Sequence, residues 1–411
     1  MPILLPEDRN IMLPEMISVK RIFDRTEIRN VQQYMDDILD DAKFTSLIKP
    51  GISVAVAVGS RMIDRIDIVV CTLVKRLNDL GAKPFIVTAM GSHGGGTPQG
   101  CKSILAEYGI TEEKAGCPIK ADMDVVSLGF TEEGVEVCTD KNSYEADLTI
   151  LVNRIKPHTE FNGSIESGLC KLATIGLGRH AGCTKLHNGG TINFDRIIPH
   201  AADMVFRRSN IGFGIGIVEN AYGRICMMEG LAADEIMTRE PQLLEIAKGL
   251  MPSIGIPEMD ILIVEELGKD ISGIGMDPNV IGRFGPKALA DYVPAIGKLI
   301  VLGISEKSNG NACGIGMADL TTMKALKSID FESTYANSIA CGCDYETEFI
   351  PLVMTDEREA IAAAIKMEKI EIPENAKIVR IKNTLQLEEI QVSRALIDYV
   401  KNHPDDFIIQ E

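Results

Sequence analysis

The chain has 411 residues, 45% of them hydrophobic and 25% charged, the balance of a soluble globular protein large enough for two domains. Its 42 basic residues stand against 59 acidic ones, a formal net charge of -17, and such a surface repels nucleic acid and anionic lipid, so neither is expected as a partner. No apolar run nears the length of a membrane span, no basic leader opens the chain, and the ten cysteines follow no framework spacing, which together lead us to expect a cytoplasmic protein.

Residues 51–90 read as a strand–helix–strand unit. ISVAVAV (52–58) is a β-branched apolar run of buried-strand length. IDIVVCTLVKRLNDL has apolar residues at helical spacing and stops at Gly81, and KPFIVTAM is the next strand. Thr97 and Pro98 suit the N-cap and first position of a helix running to about Tyr108. YEADLTILVN (144–153) is another buried strand, followed by helix-like runs at 163–174 and 190–207. Strands in IGFGIGIVEN and GRICMMEGL, a helix over ADEIMTREPQLLEIAKGLM and a linker in PSIGIPEM come next.

A second alternating pattern then begins: a strand at 260–267, a helix near 286–293, a strand at 297–304, helices near 320–340 and 356–366, and a strand in AKIVRIKN. LQLEEIQVSRALIDYVKN reads as a last helix. The expected fold class is α/β: two α/β domains with mainly parallel sheets and a cofactor cleft between them. The boundaries are an N-terminal cofactor-binding and catalytic domain over 1–252, a C-terminal α/β domain over 259–384, and a helix within 385–411 that packs back on either. Oligomeric state is not legible, and a homo-oligomer is compatible with the sequence.

In open parallel sheets, ligands bind beyond the carboxyl ends of the strands. Three strands end in chemistry: GSR gives Arg61, GSHGGGT gives His93, and NRIKPH gives Arg154, Lys156 and His158. If these strands are parallel neighbours, Arg61, His93 and His158 face one crevice. Gly91, Ser92, Gly94, Gly95, Gly96 and Thr97 form bare backbone that a phosphate could approach, with a helix N-terminus behind it. A tight strand-to-helix turn accounts for the glycines equally well; it does not account for imidazole. Four of the six histidines lie at 158, 180, 187 and 200, and Lys171 sits on an apolar run between glycines. Such a set suits proton transfer, a metal, or an amine attachment point, although no HExxH or CxxC accompanies it. His180 and His200 are expected in the structure or the pocket wall, with His200 packed on a helix, and His403 solvated in a polar tail.

The ordered set GSHGGGT, KPHTEFNGSIESGLCK and GRHAGCTKLHNGG resembles the lactate racemase family, whose members use a nickel-pincer nucleotide. The likeness is sharp over about 52–190 and covers the rest in outline. It implies a racemase or epimerase of a small-molecule 2-hydroxy acid working by reversible hydride transfer to that cofactor. His93 and His158 would be the acid/base pair, Arg61 would lie near cofactor and substrate, Lys171 would tether the cofactor, and His187 would be the protein ligand to nickel. The loop Gly91, Ser92, Gly94–Thr97 would hold the cofactor phosphate. Val58 stands where family members often carry Asp, and Gly282-Arg283 stands where Gln and Lys are expected after the Asp277-x-Asn279 loop. These departures point away from lactate itself as substrate. Arg283 could then clamp a substrate carboxylate, and Lys307 and Asn309 could reach the substrate.

Rival readings are a nucleotide-dependent transferase or ligase using the glycine loop for phosphate, a non-catalytic cofactor-binding protein, and an iron–sulfur protein using Cys313, Cys341 and Cys343. Three thiols at that spacing match no ferredoxin run, so those cysteines read better as small buried hydrophobes.

Overall fold

The computed structural model describes residues 4–159, 161–188, 190, 193–284, 287–288, 293–341 and 345–410. The chain forms two compact units, Asp24–Met251 and Met1–Phe23 together with Pro252–Glu411.

The unit Asp24–Met251 is built on a six-stranded sheet. Its order is Ile119–Lys120, Lys83–Thr88, Ser53–Val58, Leu148–Arg154, Ile211–Glu219 and Ile225–Ala232. All neighbours run parallel except the last pair. The Ser53–Val58 strand shows why this sheet is central. Its side chains alternate between faces, so Val54, Val56 and Val58 enter one core while Ala55 and Ala57 enter the other. Helix Ile66–Asp79 covers the first face through Ile66, Val69, Val70, Leu73, Val74 and Leu77. Each such fully buried aliphatic side chain contributes about 1.5–3 kcal/mol. The second face is covered by Leu169, Leu172 and helix Phe194–Arg208, which buries Phe194, Ile197, Ile198, Ala201, Ala202 and Val205.

The other unit has an eight-stranded mixed sheet: Leu352–Met354, Leu320–Thr322, Ala295–Val301, Glu258–Val264, Ile378–Ile381, Glu389–Ser393, Met16–Arg21 and Phe407–Ile409. The first five are parallel and the last three antiparallel. Both units are therefore α/β with mainly parallel sheets.

Two expectations need correction, and a third falls largely outside the described residues. The reading gave residues 1–252 to one domain, but Met16–Arg21 pairs with Glu389–Ser393 and Phe407–Ile409, which draws the first residues into the other unit. The helix expected within 385–411 is strand Glu389–Ser393, a 3-10 turn, helix Ile397–Lys401 and strand Phe407–Ile409. Ile390 and Val392 are both buried on one face of the strand, the period-two spacing that a helix would put on opposite sides. The helix expected near 286–293 falls largely outside the described residues; Lys287–Ala288 pairs as a short strand with Arg283–Phe284.

Among the described residues, no helix is long and apolar enough to cross a membrane. Eight described cysteines are free.

Candidate active site

Val58 stands opposite Thr88 on one side and Val152 on the other. The chain therefore leaves three parallel strands at one edge of the sheet. From that edge come Ser60 and Arg61, the glycine loop with His93, and the 154–158 segment with His158.

The glycine loop is shaped by backbone conformations that favour glycine. Gly91, Gly94, Gly95 and Gly96 have φ of 57°, 65°, 65° and 61°. A Cβ on Gly94 would lie 2.7 Å from the Cys101 amide, whereas one on Gly95 would meet no atom within 4 Å. Gly91 donates to the Gly176 carbonyl, Gly96 to that of His93, and Thr97 to that of Gly94, so these amides shape the loop itself. Thr97 caps helix Pro98–Glu107 by accepting from the Gly100 amide at 3.1 Å. The loop thus presents Ser92, His93 and Gly95 outward while its ends are fixed. His93 is oriented by Ser60, whose hydroxyl meets Nδ1, and the Ser60 carbonyl accepts from Tyr108 at 2.7 Å.

His158 lies on an irregular segment held by a buried carboxylate. Glu166 accepts from the His158 amide at 2.6 Å and the Gly163 amide at 3.3 Å, and it pairs with Lys248 at 3.2 Å. The His158 ring packs against Phe161 at 4.5 Å, and its Nε2 contacts the Lys171 Nζ. Lys171 ends the short helix Leu169–Lys171, whose first amides donate to Glu240: Leu169 at 2.6 Å and Cys170 at 3.1 Å. A π-helical turn, Leu172–Gly176, follows at once. Such widened turns recur at functional sites.

His187 ends helix Arg179–His187. Its Nδ1–H donates to the Cys183 carbonyl at 2.7 Å, which puts the imidazole lone pair on Nε2, the form a metal takes. Its ring meets Phe194 edge-on at 5.0 Å, and Phe194 meets Phe161 at 5.4 Å. An unbroken run of rings therefore joins His187 to His158. The Cys183 sulfur lies 3.4 Å from His187 Nδ1 and 3.8 Å from the Ser92 hydroxyl, linking this helix to the glycine loop. Arg179, at the head of the same helix, is wholly buried. It donates through Nε to Asp140 at 2.8 Å and through Nη1 to the Thr88 carbonyl and hydroxyl. This pair ties the end of the Lys83–Thr88 strand to the helix that carries His187.

The electrostatics are set by burial and by clustered cations. Protein packed around His93, then the charges of Arg61 and Lys171, lowers its imidazole from the usual 6.5 to about 4. His158 is held well below 6.5 by burial and by Lys171, Lys156, Arg61 and His187. Both rings are neutral at pH 7 and able to accept a proton. Burial pushes the Cys183 thiol up, but His187 and Ser92 outweigh it and bring it below its ordinary value. Burial raises the Glu240 carboxyl to about 7, against the pull of the Cys170 and Leu169 amides.

The structure thus brings Arg61, His93, His158, Lys171 and His187 into one electrostatic neighbourhood. Other expected residues do different work. Arg283, expected as a carboxylate clamp, is buried and spent within its own unit on Asp319 at 2.7 Å and on the Ile296 and Gly297 carbonyls. Asp277 and Asn279 form a helix cap. His200 is an exposed partner of Glu133 at 2.7 Å rather than a packed residue. His180 lies against the glycine loop, where a Cβ on Gly96 would approach it to 3.0 Å. His403 stacks on Tyr399 at 4.1 Å instead of standing in solvent. Lys307 is exposed, and Asn309 turns the chain with φ 49°. Burial raises the Cys313 thiol to about 12, against the thiolate that an iron–sulfur cluster needs. Cys343 and the Cys341 side chain lie outside the described residues. Ser60, Glu166, Arg179, Asp140 and Glu240 were not singled out from sequence.

Residues 1–196 match a family model described as the lactate racemase N-terminal domain. No curated protein matches the chain. Among solved structures, the lactate racemase apoprotein from Thermoanaerobacterium thermosaccharolyticum superimposes with TM-score 0.54 and 14% identity, over 93% of this chain and 96% of that one. At that identity the likeness shows the fold. A Thermotoga maritima protein gives TM-score 0.48 at 12% identity, over 66% of this chain and 69% of that one.

Proposed function

This chain belongs to the lactate racemase family through its N-terminal 196 residues, and from that premise we propose that it is a nickel-pincer nucleotide-dependent racemase or epimerase of a 2-hydroxy acid. Two histidines beyond the ends of the parallel strands that flank Ser53–Val58, both held neutral at pH 7 by burial and by cations that include Arg61 and Lys171, are the observation that carries this reading.

The residues present fit the cofactor. His187, with its lone pair on Nε2, would be the protein ligand to nickel. Among the described residues no group of three or more His, Cys, Asp or Glu side chains is arranged to hold a metal. Lys171 would be the attachment point, and the loop from Gly91 to Thr97, open above Gly95, would take the phosphate. When bound, this group supplies a hydride acceptor, which a 2-hydroxy acid needs because its C–H is a poor acid.

The protein's own residues do the rest. His93 takes the hydroxyl proton of one enantiomer, with Ser60 fixing its ring. His158 serves the other enantiomer from a strand end on the far side of Ser53–Val58. Two bases are needed because the hydroxyl of the two enantiomers points to different sides. Arg61 is exposed and cationic at the same edge and is placed to hold the carboxylate.

The test is nickel content and intact mass after co-production with the enzymes that make the pincer cofactor. Wild type is expected to carry near-stoichiometric nickel, lost in His187→Ala, and a covalent adduct, lost in Lys171→Ala. His93→Ala and His158→Ala should each keep nickel and lose isomerisation of 2-hydroxy acids. A folded wild type with neither nickel nor adduct would sink the proposal.

A further inference from the structure

The contact between Lys171 and His158 joins two residues that the proposed function uses separately. Lys171 has to become an acylated nitrogen; His158 has to meet substrate. Yet the Lys171 Nζ lies against the His158 Nε2. Lys171 is half-buried at the end of its short helix, and its charge is the largest single charge effect on His158. The His158 ring is itself fixed, by Phe161 on its face and by Glu166 on its backbone amide. The charged and titratable groups acting on it are Lys171, Lys156, Arg61 and His187, with the Glu166 carboxylate below.

We propose that His158 is the general base that primes Lys171 for covalent attachment, so that one imidazole first serves the tether and only afterwards the substrate. This rests on the reading of Lys171 as an attachment point. The co-reactant is an activated acyl or thioacyl group. Lys171 first gives its ammonium proton to solvent; the neutral amine attacks the acyl carbon, and as the C–N bond forms that nitrogen becomes strongly acidic. His158 Nε2 takes this second proton and passes it on to solvent, the bond to the leaving group breaks, and the leaving group departs with the electron pair. The product nitrogen is an amide, no longer basic or charged. Acylation therefore ends the hold of Lys171 on His158 and leaves Nε2 to face substrate. Attachment and activation of the second acid/base group become one event.

The experiment uses the full apo chain and p-nitrophenyl acetate, and it needs neither nickel nor isomerase activity, so its failure is separate from failure of the proposed function. Acetylation at Lys171 is followed by peptide mass spectrometry, with exposed Lys307 as the internal reference. The Lys171-to-Lys307 rate ratio is expected to fall about tenfold or more in His158→Gln, which keeps a polar group but no base, and in His158→Asn as a second variant. A solvent deuterium isotope effect on Lys171 acetylation is expected in wild type and not in the variants, a signature that a purely structural histidine would not give. An unchanged ratio in the two variants would overturn the proposal, as would wild-type acetylation of Lys171 without an isotope effect.

Discussion

Glu240 offers a prediction that can be worked to a number. Its carboxyl is fully buried mid-helix in Ala233–Leu250 and caps the segment that ends in Lys171. Burial raises it from the usual 4.5 to about 7. The folded state therefore holds a proton that the unfolded chain releases between those values. Its contribution to stability is complete below pH 4.5 and is lost as pH rises through 7. At 1.36 kcal/mol per unit, the loss between pH 5 and pH 8 is about 2–3 kcal/mol. Glu240→Gln resembles the protonated group and has no proton to lose. The assay is urea unfolding of both proteins at pH 5 and pH 8, following the unit Asp24–Met251 by proteolytic resistance. Stability of the variant relative to wild type should improve by about 2–3 kcal/mol between those pH values. If the difference is the same at pH 5 and pH 8, the reasoning about this carboxyl is wrong.

Three further outcomes follow from particular contacts. Gly168→Ala would place a Cβ 2.4 Å from the Glu240 carboxylate, so it should destabilise the unit by about 1–3 kcal/mol in the same unfolding assay, and the effect should shrink in a Glu240→Ala background. Asp140→Ala leaves Arg179 buried without its 2.7 Å partner and should cost about 3–5 kcal/mol, read as a fall in the urea midpoint; a cost within ~0.5 kcal/mol would refute a structural role for the pair. Lys171→Met removes the main cation lowering His158, so the imidazole should titrate closer to 6.5, seen as a shifted ring-proton titration by NMR; an unmoved titration would count against the contact.

The strand ends were legible because their causes are local. β-Branched runs such as SVAVAV signal buried strands, and four glycines between Gly91 and Gly96 signal a backbone that side chains disfavour. His93 and His158 could be placed beyond the ends of parallel strands of one sheet from that pattern alone. The residues that hold them in place could not. Arg179 finds Asp140 39 positions away, and Leu169 finds Glu240 71 positions away. No spacing rule reports such pairs, and a buried Glu inside an amphipathic helix reads as a solvated one. Arg283 shows the converse error. Its charge, standing where the family pattern is broken, suggested a substrate clamp, whereas burial has already committed its guanidinium to three backbone carbonyls and Asp319.

The unit formed by Met1–Phe23 and Pro252–Glu411 is discontinuous, and its sheet is completed by strands from opposite ends of the sequence. Met16 pairs with Ser393, so closing that ladder requires the whole of Asp24–Met251 to be looped out. A flexible loop of that length makes such a contact slow to find, whereas a folded insert holds its two ends at fixed separation. The unit Asp24–Met251 is one continuous segment, so all of it has left the ribosome before the other unit is complete. Its partner has to wait for Glu389–Ser393. The order of synthesis thus favours a finished histidine-bearing unit before the other unit can close, and removal of Met16–Arg21 would leave Glu389–Ser393 and Phe407–Ile409 with bare edges in a unit far along the chain.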